Sequence, residues 1–265
     1  MPKELTHEKI IEKLRDDEQY YGDFGRQYIS NSDIKILLSN IEQYGKKVVE
    51  NENLAKGRYF HQLLLEPDKA KNFPICDVKT RSKEYKEFLV ENNLEFALKT
   101  SEARDVELMV EWFMEKGNKK TIGIKEYLFD LGAKYEEPMV KELYEGVTPF
   151  KGKADVISRG MIIDLKTSSD VYKFAKNAPY FGYHTQAYIY NALFEMPMVF
   201  FVIGKERKQY GTISGDYYDV GIFNVSPEFI DRGREAVEHA LVHYQEYFSE
   251  KAKKSIDEIV LKATL

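Results

Sequence analysis

Residues 152–169 read GKADVISRGMIIDLKTSS, and this stretch restricts the fold more than any other. Two runs rich in branched apolar residues flank the turn signal SRG, the pattern of a β-hairpin. Isoleucine and leucine around Asp164 argue for a buried strand. Aspartate is depleted in strands, however, and an unpaired charge beside a core is costly. Lys166 follows two residues later. Either Asp164 and Lys166 neutralise each other as a structural pair, or the site needs charge. With the turn centred on Arg159 and Gly160, antiparallel pairing sets Asp155 opposite Asp164 and Lys153 opposite Lys166. Alternation then places Asp164, Lys166 and Asp155 on one face, with the two aspartate Cβ atoms about 4.5–5.5 Å apart. Carboxylates that close repel, and the usual compensation is a divalent cation with hard oxygen ligands. The other reading is an ordinary hairpin in which each aspartate pairs with a nearby lysine. A register slip of one residue would move the two aspartates to opposite faces.

The rest of the chain frames this hairpin. SNSDIKILLSNIEQ at 30–43 starts with cap residues and continues with helical spacing, and NENLAKGRYFHQLLLE at 51–66 reads as a second helix stopped by Pro67. Two more helical patterns follow at 82–93 and 100–117. Strands are expected at 133–145, 149–159 and 161–167, then a helical stretch over 169–195 broken at Pro179, then strands at 198–204 and 216–223. SPEFIDRGREAVEHALVHYQEYFSE at 226–250 is an amphipathic helix with Ser226 as cap and Pro227 at its first position. This order predicts an α/β sandwich with a mixed central sheet flanked by helices and a helical N-terminal region. It reads as a single domain over 1–265, helical over residues 1–130, with a core over 131–250.

At 43% hydrophobic and 31% charged, the 265 residues suit a globular protein with a sizeable core. Apolar runs such as MPMVFFVIG are too short to span a bilayer, and no apolar signal-like stretch precedes the first helix. With Cys76 as the lone cysteine, an internal disulfide and a four-cysteine cluster are excluded, and a cytoplasmic location is expected. A net charge of −5 argues against a chain that coats nucleic acid everywhere, but allows a basic groove on an acidic body.

GKAD…IIDLKT resembles the PD-(D/E)XK nuclease signature in its RecB-like form, and more closely the phage and prophage exonucleases similar to exonuclease VIII. GRYFH at 57–61 is similar to the G-x-x-x-H helix of that group, and LLLEPDKAKNF continues it. Gly57 and His61 share a helical face; there Gly57 would allow close backbone approach and His61 would reach a metal pocket. A histidine at the edge of the core is the alternative. YHTQAYIY at 183–190 is similar to the Q-x-x-x-Y helix, placing Tyr183, Gln186 and Tyr190 on one face. Gln186 would bond a phosphate or a water, and a tyrosine would stack on a terminal base, unless this face simply packs. KYEEPMV at 134–140 lies where the family places an upstream glutamate. Glu136 and Glu137 both qualify by position, with Glu136 favoured. The resemblance runs from residue 28 to residue 204, and residues 205–265 carry no motif.

The resemblance implies a restriction-endonuclease-like core and a metal-dependent exonuclease acting on ends of linear double-stranded DNA, in phage-type recombination or repair. Asp155 and Asp164 would hold Mg²⁺, with Mn²⁺ as substitute, joined by the Leu165 carbonyl, His61 and Glu136 or Glu137. Lys166 would orient the attacking water and stabilise charge on the phosphate. Arg58 and Lys153 are candidate phosphate contacts, or simply solvated cations. No iron–sulfur cluster is expected. A single-strand annealing recombinase is the partner such enzymes imply, and rings of three or four subunits among relatives leave a homo-oligomer open. An endonuclease on the same hairpin, a degenerate protein that binds DNA ends without cutting, and a structural or interaction protein of the recombination machinery on this fold are the competing readings.

Overall fold

A computed structural model describes residues 5–46, 49–117, 123–209 and 216–256. At its centre is a five-stranded mixed sheet in the order β1-β2-β3-β4-β7. The first three strands, β1 (Lys134–Lys141), β2 (Phe150–Ser158) and β3 (Met161–Ser168), form an antiparallel meander. The chain then crosses over through two helices, α9 (Phe174–Asn177) and α10 (Tyr183–Phe194), to β4 (Met198–Gly204), which runs parallel to β3. Strand β7 (Val220–Asn224) closes that edge antiparallel to β4. Every residue of β4 is buried, as a continuous apolar run between two covered faces requires.

Helices cover both faces. On one side α10 packs with α3 (Asn31–Ser39) and α11 (Pro227–Tyr247) over Phe150, Ala154, Ile162, Phe200 and Val202. On the other, α4 (Glu52–Leu65), α7 (Thr100–Trp112) and α8 (Ile124–Leu128) cover Val156, Ile163, Leu165, Phe201 and Ile203. Two N-terminal helices, α1 (His7–Arg15) and α2 (Asp17–Tyr21), lie against the outer strand β1 through Leu14, Tyr20 and Val140. Helix α5 (Pro67–Ala70) adds Ala70 to the α4 side, while α6 (Lys83–Glu91) packs Tyr85 into a small separate cluster with Cys76 and Ala97. The caps expected at 30–43 and at Ser226 are present, and Asn51 adds a third. The Ser30, Asn51 and Ser226 side chains accept from Asp33 N, Leu54 N and Phe229 N, satisfying donors that open each helix.

The structure changes several boundaries. Pro67 does not merely stop α4; it opens α5 at the first position, where its missing N–H is harmless. The helix expected over 100–117 ends at Trp112 and continues as a single π turn, Phe113–Gly117. Between α9 and α10 the break runs past Pro179 to Gly182, whose φ of 71° needs glycine. The strand expected at 216–223 is two pieces. Residues Asp216–Tyr217 form β6, which leaves the main sheet to pair with β5 (Lys208–Gln209). Among the described residues, no helix is long and apolar enough to cross a membrane.

Candidate active site

The hairpin turns at Arg159 and Gly160, with φ of 51° and 75°. Two consecutive left-handed residues make the tight turn whose twist matches that of paired strands. Pairing runs Ser158↔Met161, Ile157↔Ile162 and Val156↔Ile163, the expected register, which continues to Asp155 opposite Asp164. There the ladder gives way. The Asp155 carboxylate turns into the gap between the strands, and its Oδ2 accepts the Leu165 N–H at 2.7 Å. Ala154 and Ile157 pack on the α10 side and Val156 on the α4 side, so strict alternation fails at Asp155. Beyond burial, the Asp155 charge still adds to the upward push on the Asp164 carboxyl.

Asp164 is 1% exposed and faces α10. Its Oδ1 accepts from Gln186 Nε2 at 2.5 Å, and its Oδ2 pairs with Lys166 Nζ. Burial pushes the Asp164 carboxyl up, against the pull of Lys166. Burial draws the Lys166 ammonium down, but Asp164 and Asp155 outweigh it and the net shift is upward. Lys166 also lies 5.3 Å above the Tyr183 ring, which stacks against Phe174 at 5.3 Å and packs at 5.6 Å from Phe200. Gly152 makes this arrangement possible. A Cβ there would lie 2.8 Å from Leu193 Cδ1 and 3.1 Å from Tyr190 Cε2. Its absence lets α10 settle on β2, where Tyr190 is buried and its hydroxyl donates to Lys153 O at 2.9 Å.

From the opposite side α4 brings His61. Its Nε2 lies 2.9 Å from Leu165 O, and its Nδ1 lies 3.5 Å from Asp155 Oδ2. Since Leu165 O can only accept, Nε2 carries a proton. Nδ1 faces a region it shares with the Asp155 carboxylate. Glu136 completes the group from β1 with φ of 47°, a left-handed backbone that costs a non-glycine residue about 1–3 kcal/mol. Ligand atoms of His61, Glu136 and Asp155 lie within 4.8 Å of one another. Burial, then Asp155 and Glu66, pushes the Glu136 carboxyl up to about 9. Imidazole plus two hard carboxylates is a donor set that fits a divalent metal ion. The Leu165 carbonyl lies beside it, bonded by His61 Nε2.

The remaining sequence candidates lie elsewhere. Glu137 takes two hydrogen bonds from Arg15, at 2.8 and 2.7 Å. Arg58 pairs with Glu50 at 2.9 Å and lies 5.0 Å over Phe73. The Lys153 side chain is 4% exposed; its Nζ bonds Asp17 Oδ1 at 2.7 Å and sits 4.6 Å over Tyr20. Nothing packs on Gly57: an added Cβ would meet no atom within 4 Å. The close approach expected at Gly57 is instead made at Gly152. Sequence reasoning missed Asp17 and Glu66, which share Lys69 at 2.6 and 2.5 Å beside the acid cluster. It also missed Tyr21, 67% exposed with Glu136 and Asp155 nearby. Glu66 lies in the quoted LLLEP run, whereas no local pattern singles out Asp17 or Tyr21.

Residues 35–256 match the family described as a PDDEXK-like domain of unknown function (DUF3799), and the chain belongs to that family. No curated protein matches it. Among solved structures it is similar to a candidate exonuclease from Eubacterium rectale. The identity is 16% over 94% of this chain and 95% of that one, with a TM-score of 0.58. A phage-related exonuclease from Haemophilus somnus 129PT is also similar, at 19% identity over 63% of this chain and 88% of that one. Its TM-score of 0.31 is too low to argue from. The first likeness shows the α/β restriction-endonuclease-like fold, with its mixed sheet flanked by helices. Family and fold together support a nuclease.

Proposed function

We propose that this chain is a divalent-metal-dependent deoxyribonuclease that degrades linear duplex DNA from its ends. The observation that carries the reading is the convergence of His61, Glu136 and Asp155 beside the Asp164–Lys166 pair. Three separate elements, α4, β1 and β2, supply the first group, and half-buried carboxylates this close repel one another, which a bound divalent cation would relieve. Asp155, Glu136 and His61 would hold Mg²⁺ or Mn²⁺, with Asp164 and the Leu165 carbonyl at its edge. The ion supplies a Lewis acid for a phosphoryl oxygen and a water of lowered pKa.

The protein's own groups do the rest. Gln186 fixes Asp164 Oδ1, so the other carboxylate oxygen is directed at Lys166. Asp164 holds the Lys166 ammonium in place and charged; with three donors, it can also bond a water or a phosphoryl oxygen. Charge that builds on the phosphate is thus met by a cation already in position. Leu165 N–H orients Asp155, and Leu165 O orients the His61 ring, so one residue of β3 aligns both ligands. The test is cleavage of end-labelled linear duplex against a closed circle of the same sequence, with Mg²⁺ and with EDTA. Loss of linear DNA only with Mg²⁺, abolished in Asp155→Asn and Lys166→Ala, is expected. Turnover in EDTA would overturn the metal mechanism, and equal cutting of the circle would replace the exonuclease with an endonuclease.

A further inference from the structure

Gly57 occupies the interior of α4, where glycine is the poorest helix former after proline. Among the described residues no internal contact explains it, because an added Cβ would meet nothing within 4 Å. Asn53, Gly57 and His61 recur every four residues and so form one stripe along the helix. His61 stands at one end, in the acid cluster. At the other end Asn53 Oδ1 accepts from Lys205 Nζ at 3.0 Å. A cleft of about 100 Å³ opens there, lined by Asn53, Lys56, Thr167 and Lys205, with Asp105 of α7 also facing it.

Lys205 directly follows β4, and its N–H donates to Ser168 O at 2.8 Å. The cation is therefore tied to β3, the strand that carries Asp164 and Lys166. Lys56 pairs with Glu52 at the surface, whereas Lys205 has no carboxylate within 4.0 Å among the described residues. Burial, then the charge of Lys56, draws its ammonium down against the pull of Glu52. A half-buried lysine held by an amide oxygen, with no carboxylate in direct contact among the described residues, is arranged to receive an anion.

We propose that this stripe is the track for the sugar-phosphate backbone of the strand being cut, with bare helix at Gly57 and one phosphate received by Lys205, Asn53 and Thr167. This inference rests on the nuclease reading above and assigns the substrate path to it. From His61 to Asn53 the helix rises about 12 Å. At a duplex rise of about 3.4 Å per nucleotide, that places the held phosphate within about four nucleotides of the scissile one. A methyl at Gly57 would stand between the helix and the strand, which is the close backbone approach that glycine permits.

The test measures binding of labelled linear duplex to the full chain at several salt concentrations in Ca²⁺, cleavage in Mg²⁺, and melting with and without Mg²⁺. Lys205→Gln is expected to weaken binding about 3- to 10-fold and to flatten the slope of log K against log salt by about 0.9. Gly57→Ala should melt at or above the wild-type temperature, since nothing inside the protein obstructs the methyl. It should nevertheless bind and cut DNA several-fold more weakly. Asp105→Asn should bind about 2-fold more tightly. The Mg²⁺-induced melting shift should be unchanged in all three. If wild type cuts linear duplex while Gly57→Ala and Lys205→Gln bind it with wild-type affinity and salt slope, the track is overturned and the nuclease reading stands. If wild type neither binds nor cuts duplex, both are overturned.

Discussion

Glu136→Gln tests the acid cluster without reference to catalysis. In the metal-free protein the Glu136 carboxyl is raised from 4.5 to about 9, first by burial and then by Asp155 and Glu66. The unfolded chain releases that proton near its ordinary value. Between the two values the folded state binds one more proton than the unfolded state, so stability falls as pH rises, by up to about 1.4 kcal/mol per unit. From pH 5.5 to pH 8 the upper limit is about 3 kcal/mol, or about 6 °C in Tm for a chain of this size. Glutamine is nearly isosteric and does not titrate. The left-handed backbone at Glu136 is common to both proteins and cancels. In EDTA, wild type should therefore lose stability relative to Glu136→Gln across that range, with the gap widening as pH rises. Mg²⁺ should narrow the gap at pH 8, because it binds the ionised carboxylate. Wild type then gains about 2.7 kcal/mol at a hundredfold excess over Kd, and the variant gains less. The assay is thermal melting of both proteins at four pH values with EDTA or Mg²⁺. Parallel Tm–pH lines in EDTA would refute the argument, since they would mean that Glu136 ionises in the folded protein as it does in water.

Four further variants probe the supporting contacts by urea unfolding. Gly152→Ala should lose about 1–3 kcal/mol, the usual range for overpacking, because its Cβ would press on Leu193 and Tyr190. Gln186→Ala should lose about 1–3 kcal/mol, since Asp164 Oδ1 has no other hydrogen-bond donor among the described residues; an unchanged midpoint would mean that a water replaces the amide. Asp17→Ala should lose about 3 kcal/mol by stranding the buried Lys153 ammonium. Arg15→Ala, which removes the more exposed partner of Glu137, should lose less than about 1 kcal/mol; equal losses in these two variants would refute the contrast between buried and exposed pairs.

Local patterns carry part of this protein in plain view. Alternating and continuous apolar runs place β2, β3 and β4, and the Arg159–Gly160 pair sets the turn and with it the register. Cap residues at Ser30, Asn51 and Ser226 start three helices where short-range hydrogen bonds can form. All of these depend on neighbours within a few positions, so periodicity and turn chemistry suffice. The same reasoning marks Asp155, Asp164 and Lys166 as charges that a strand does not need. Their arrangement is another matter. Asp155 abandons alternation because the Leu165 N–H offers its carboxylate a hydrogen bond in the gap between strands. Lys153, which looks like a groove cation, is taken by Asp17, 136 residues away. Gly57 and Gly152 look alike in the sequence; only the packing of α10 on β2 makes one essential to the fold and leaves the other bare. The sequence by itself determined the elements, the hairpin and the residue types available for chemistry. Which charge faces which partner was decided by tertiary packing, because burial and the nearest opposite charge come from segments far apart in the chain.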